Sequence, residues 1–133
     1  KMAEKKDTLG NVVLMLTTID RINHKPVVNV VQYEEIKGKY YLTTSRHSPA
    51  EWIRNIHINP WVDAQVKGKK VHALTEPVID TPRIADFLEG QLVRNSPPTL
   101  ALLRSHGLPK KPSRAQLEAL AGRLSLFVLH PAK

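Results

Sequence analysis

Residues 27–76 read VVNVVQYEEIKGKYYLTTSRHSPAEWIRNIHINPWVDAQVKGKKVHALTE, and this stretch decides the fold. Residues 27–34 are rich in β-branched side chains and are expected to form a strand. Lys37-Gly38-Lys39 reads as a hairpin turn, after which 40–45 return as the next strand. Pro49-Ala50-Glu51 opens a short helix, because a proline and an acid suit a first turn. Trp52, Ile53 and Ile56 supply its apolar side, and Asn59-Pro60 stops it. Residues 61–66 alternate, with Val62, Ala64 and Val66 on one face. Lys67-Gly68-Lys69 is a second turn, and 70–76 form the strand that follows it. Two hairpins with Lys-Gly-Lys tips, joined by a short helix, predict a mostly antiparallel barrel.

The flanking sequence extends this pattern. Residues 11–19 read as a buried strand, and Asp20 to Lys25 as a polar connection before Pro26. Thr81-Pro82 is expected to start a helix as N-cap and first residue, running to about Val93 with Ile84, Phe87, Leu88 and Leu92 as its stripe. Asn95-Ser96-Pro97-Pro98 reads as a breaker, and Thr99–His106 as one or two helical turns ending at Gly107. Ser113 suits the cap of a helix to Ala121, ended by Gly122. Residues 124–129 are the last strand. The sum is a mainly β, α+β protein: a barrel of about six antiparallel strands with inserted and flanking helices. Strands and helices do not alternate as in βαβ units, and none of the six glycines belongs to a phosphate-binding Gly-rich loop, which disfavours a Rossmann domain. We expect one cofactor-binding domain over residues 1–133, with a flexible segment at 1–8 and a helical insertion over 94–122.

Composition narrows the function. The chain has no cysteine, which excludes disulfides, thiolate catalysis and zinc–cysteine sites. It has no apolar run of membrane-spanning length, and its N-terminus lacks a secretory signal's apolar core. A cytoplasmic home is the expectation. The net charge of +8 suits phosphates, nucleic acid, anionic lipid or acidic small molecules, or simply a solvated basic surface. The lysines fall in separate clusters and aromatics are only 5 %, which disfavours a nucleic-acid partner. The six histidines show no metal-ligand spacing, no carboxylates are paired for acid–base work, and Ser48 lacks a nucleophile elbow. What remains is an anion site where a strand end, the polar loop from Thr43 to Pro49 and a helix start meet.

Residues 16–75 resemble a known family. Its Leu-Thr-Thr-x-Gly-Arg-Lys-x-Gly-x-Pro pattern reads here as Leu16-Thr17-Thr18-Ile19-Asp20-Arg21-Ile22-Asn23-His24-Lys25-Pro26. Asn29, Tyr33 and the Ser45-Arg46 loop follow in order, then Trp52, Asn55, Ile56, Asn59 and Pro60 match Trp-x-x-Asn-Leu-x-x-Asn-Pro. The segment 123–129 matches the family's last strand more weakly. The chain thus resembles the deazaflavin (coenzyme F-420)-dependent nitroreductases and quinone reductases, flavin/deazaflavin oxidoreductases of the FMN-binding split-barrel superfamily. The resemblance implies a split β-barrel and a reduced deazaflavin delivering hydride to a quinone, enone or nitro compound. It implies cofactor binding at Arg21, Asn23, His24, Lys25, Thr44, Ser45, Arg46, His47, Trp52 and Asn55, with no catalytic residue required and no metal. Tyr33 is a candidate proton donor. The family's two loop glycines are Asp20 and His24 here, one of its basic residues is Ile22, and the glycines after the Ser-Arg loop are missing. Flavin mononucleotide, with a single phosphate, is therefore the competing cofactor. A non-catalytic flavin- or haem-binding barrel is the alternative function. The expected partners are a small-molecule cofactor, its acceptor and a second copy of the chain in a homodimer.

Overall fold

A computed structural model describes residues 5–6 and 12–132. The expected flexible segment 1–8 therefore lies, Lys5 and Lys6 apart, outside the described residues. Among the described residues are β1 (Val13–Ile19), β2 (Pro26–Gln32), β3 (Glu34–Ile36), β4 (Lys39–Ser45), α1 (Glu51–Ile58), β5 (Trp61–Val66), β6 (Lys69–Val78), α2 (Thr81–Val93), α3 (Pro97–Ser105), α4 (Arg114–Ala121) and β7 (Leu124–Pro131). The chain divides into two compact units. One comprises the chain up to Thr43, Ser48–Pro77 and the chain from Phe127; the other comprises Thr44–His47 and Val78–Leu126.

The strands form one sheet in the order β2-β1-β5-β6-β7-β4-β3. β1 pairs antiparallel with β2 and with β5, β5 with β6, and β3 with β4. Both Lys-Gly turns have positive φ at both central residues: 50° and 79° at Lys37-Gly38, 52° and 77° at Lys67-Gly68. That is the two-residue turn whose twist matches antiparallel strands, and it explains a glycine at the second place.

Residues 27–34 are not one strand. β2 ends at Gln32 and β3 begins at Glu34, and the two lie at opposite ends of the strand order. Only Tyr33 joins them. Three consecutive residues span at most about 7 Å between the outer Cα atoms, so the two ends of the sheet meet at this corner and the sheet must curl. Among the described residues the sheet has seven strands, close to the six or so expected. The interior of the curl holds Leu14, Leu16, Tyr33, Leu42, Val62, Ala64, Val66, Ala73 and Leu129, with Trp52, Ile53 and Ile56 of α1 packed among them.

The second unit is built on helix caps. Asp80, not Thr81, caps α2: its Oδ2 accepts from the Arg83 N–H at 3.1 Å. The break expected at 95–98 separates α2 from α3, and Pro97 and Pro98 fill the first turn of α3, where the missing N–H has no helical partner to lose. Ser113 and Gln116 form a reciprocal capping box on α4. Arg114 then ties α4 to α2 through Asp86 at 2.8 Å and Pro82 O at 3.2 Å.

Candidate functional site

The β1–β2 loop closes on itself. The Asp20 N–H donates to Lys25 O and the His24 N–H to Asp20 O, each at 2.9 Å. Asp20 Oδ1 accepts from the N–H groups of Ile22 at 2.7 Å and Asn23 at 3.0 Å. Asn23 Oδ1 accepts from the Lys25 N–H at 2.9 Å. The Asn23 and Ile22 amides hold the Asp20 carboxyl below the ordinary aspartate range, with smaller contributions from the Arg21 and His24 charges. His24 has φ +62°, a left-handed conformation that glycine adopts without cost. The side chains of Asn23, His24 and Lys25 are exposed.

Helix α1 fixes Arg21 from the other side. Asn55 is 1 % exposed. Its Oδ1 accepts from the Arg21 backbone N–H at 3.2 Å and from Arg21 Nη1 at 3.0 Å. Its Nδ2 donates to the Thr18 hydroxyl at 3.2 Å. One helical turn earlier, Glu51 Oε1 lies 2.8 Å from Arg21 Nη2. Among the described residues, Arg21 Nε and the second hydrogen on each terminal nitrogen have no acceptor. Asn55 and Glu51 thus set the guanidinium, whose side chain is 21 % exposed.

The Trp-x-x-Asn-x-x-x-Asn-Pro spacing now has a physical meaning. Trp52 and Asn55 share a buried helix face. Trp52 packs edge-on against Phe127, with centroids 5.5 Å apart, and is a core side chain. Asn59 closes the helix: its N–H donates to Asn55 O at 2.9 Å, and its Oδ1 accepts from the Trp61 N–H at 3.2 Å. Pro60 follows where no further helical N–H is needed.

Thr44, Ser45, Arg46 and His47 belong to the second unit. Ser45 and His47 are exposed, and the Thr44 hydroxyl donates to Ser45 O at 3.1 Å. Arg46 is an internal tie. Its Nε donates to Leu124 O at 2.9 Å, and its Nη2 donates to Ile79 O at 2.9 Å and to Ala121 O at 3.2 Å. Ala121 ends α4, where a cation meets the negative end of the helix. Tyr33 is buried and packs edge-on against Tyr40 at 5.8 Å.

The structure thus brings Arg21 and Asn55 together. It adds two residues that the sequence did not single out, Thr18 and Glu51. Glu51 stands four residues before Asn55, so the helical period alone puts both on what Asn55 touches. Thr18 is a buried hydroxyl on a strand, a type that generally has a partner. Among the described residues, no cluster of three or more His, Asp or Glu side chains suits a metal ion. No helix among them is long and apolar enough to cross a membrane.

Residues 3–101 match the model of the F420H(2)-dependent quinone reductases. No curated protein matches the chain. Among solved structures, one described as an F420 reductase aligns at a TM-score of 0.53 and 21 % identity, covering 91 % of this chain and 86 % of the other. HutZ, a haem storage protein from Vibrio cholerae, aligns at 0.57 and 17 %, covering 91 % and 82 %. A third, described as a domain-swapped dimer, aligns at 0.58 and 17 %, covering 89 % and 79 %. At these identities the structures show a shared fold, the split β-barrel.

Proposed function

This chain belongs to the F420H(2)-dependent quinone reductase family, and from that premise we propose that it is a reductase delivering hydride from a reduced deazaflavin to an electron-poor acceptor. The acceptor class is a quinone, an enone or a nitro compound. The observation that carries the reading is Arg21, a partly exposed guanidinium set by Asn55. A planar guanidinium fixed in place matches a phosphoryl oxygen and loses little entropy on binding it. The Ile22 and Asn23 amides fit an incoming anion less well, because they already bind the Asp20 carboxylate.

Arg21 would hold the anionic end of the cofactor, with Lys25 adding positive charge and His24 a ring nitrogen from the same loop. When bound, the reduced deazaflavin supplies the hydride. The chain's share is orientation and exclusion of water. The test is a fluorescence titration of the protein with the deazaflavin coenzyme and, separately, flavin mononucleotide. Oxidation of the reduced form by a quinone is then followed. Binding of the deazaflavin with quinone-dependent turnover supports the reading, and binding of neither sinks it.

A non-catalytic binder of flavin or haem is the second reading. The occupied loop amides favour it, as does the likeness to a haem storage protein. Binding without turnover of any acceptor would select it.

The outward face of β2, β1, β5 and β6 supports a homodimer. Thr17 is level with Val28 and Asp63, and Trp61 with Leu74, so these side chains share one face. Val28, Val30, Trp61 and Leu74 on it are exposed. Trp61 stacks on His72, whose Nδ1 is 2.9 Å from Asp63 Oδ1. Val30→Glu should raise the fraction of monomer in sedimentation if this face pairs.

A further inference from the structure

The N–H groups of Ile22 and Asn23 converge on one point, at 2.7 and 3.0 Å, and that point is Asp20 Oδ1. Successive amides aimed at one point form a concave anion receptor. Here the anion is part of the chain. The charges of Arg21 and His24 act on the same carboxylate, so it sits among positive groups. A second carboxylate, Glu51, lies 2.8 Å from Arg21 Nη2 and 3.6 Å from Arg54. Two sets of donors suited to phosphoryl oxygens are thus each given to an internal acid, one from the loop and one from the first turn of α1.

We propose that Asp20 and Glu51 are specificity-determining residues: built-in counter-anions that limit how much negative charge a bound cofactor can bring to the loop. This rests on the reading that the Arg21 loop faces the anionic end of the cofactor. A singly charged group uses the Arg21 hydrogens that have no acceptor among the described residues and leaves Asp20 in place. A second charged group nearby meets a carboxylate already bound. To displace it, the newcomer must break two hydrogen bonds that also shape the loop. It must also compete with an acid whose effective concentration at the amides is on the order of millimolar or more, because the acid is tethered. Removing either acid should therefore favour the more highly charged of two ligands.

The first experiment needs no cofactor. Inorganic phosphate is titrated into the wild-type protein and Asp20→Gly, and the amide resonances of Ile22 and Asn23 are followed. In the wild type these amides should show no saturable shift up to about 20 mM phosphate. In Asp20→Gly they should shift and saturate, with affinity at least about tenfold tighter. Saturation of the wild-type amides at the same phosphate concentration overturns the proposal, as does a folded Asp20→Gly with no response.

The second experiment compares flavin mononucleotide with the polyglutamylated deazaflavin coenzyme by fluorescence. Asp20→Asn keeps an oxygen for the amides while removing the charge, and Glu51→Gln does the same at Arg21. Each should tighten binding of the deazaflavin coenzyme by about three- to tenfold at low salt, and flavin mononucleotide by less. The difference should shrink as salt rises. Ligands that bind with an unchanged ratio in all variants defeat the specificity role and leave the cofactor reading intact. If neither ligand binds any folded variant, the cofactor reading falls and takes the specificity role with it.

Discussion

Replacing Asn55 with alanine tests whether this buried amide is the post that holds the Arg21 loop. The substitution removes three hydrogen bonds: two to Arg21, at 3.2 and 3.0 Å, and one to Thr18, at 3.2 Å. Each is worth about 1 kcal/mol net. The Thr18 hydroxyl is 0 % exposed and would be left without its donor, adding roughly 1 kcal/mol. The expected loss is therefore about 3–4 kcal/mol. A chain of this size has on the order of 7–20 kcal/mol in total, so the variant should fold but be visibly weakened. Urea unfolding followed by tryptophan fluorescence is the assay, since Trp52 packs in the same core as α1. With an m-value of about 1.5–2 kcal/mol/M, the midpoint should fall by about 2 M. Asn55→Asp separates the parts. It keeps oxygens for Arg21 and can accept from the Thr18 hydroxyl, so its loss should be about 1 kcal/mol or less. A shift below about 0.5 M for Asn55→Ala, or equal damage from Asn55→Asp, would refute the clamp.

Other outcomes follow from the same geometry. Arg46→Met should cost about 2–3 kcal/mol, since three backbone carbonyls lose their donor, and Arg46→Lys should recover less than half. Hydrogen exchange in the last turn of α4 reads this directly. His24→Gly should raise stability by about 1 kcal/mol, because the native φ of +62° is strained for histidine and free for glycine; thermal unfolding checks it. The Asp20 carboxyl titrates below its unfolded value, so its contribution is present above the ordinary aspartate pKa. It is lost as pH falls through the lower folded value. The stability difference between wild type and Asp20→Asn should therefore be constant above about pH 4–5 and shrink in more acid solution, as acid-unfolding curves would show.

Much of the scaffold was legible because it rests on local chemistry. Lys-Gly at two hairpin tips, Asn59-Pro60 after α1 and Ser113 before Gln116 each specify a backbone geometry that few other residues accept. The break at Tyr33 was not legible. Val27, Asn29, Val31 and Tyr33 all turn toward the interior, so the two-residue period runs through the break and conceals it. The break before Pro97-Pro98 was legible, but not that the pair opens α3, since a proline pair stops a helix or starts one according to which side continues. The order of residues singled out Arg21 and Asn55, which the structure brings into hydrogen-bond contact. Residue type alone does not say where donors are aimed. Asn55 faces inward to Arg21 and Thr18, and the Arg46 guanidinium donates to three carbonyls of its own chain.

The single residue between β2 and β3 makes chain length a fixed quantity at one place. Elsewhere the strands meet through turns that can lengthen outward without moving what they connect, as at Lys37-Gly38 or Lys67-Gly68. At Tyr33 an added residue would lengthen the only tie between β2 and β3, which stand unpaired with each other at the two ends of the strand order, and would slacken the curl. Insertions should thus be tolerated at the hairpin tips and lower stability at Tyr33.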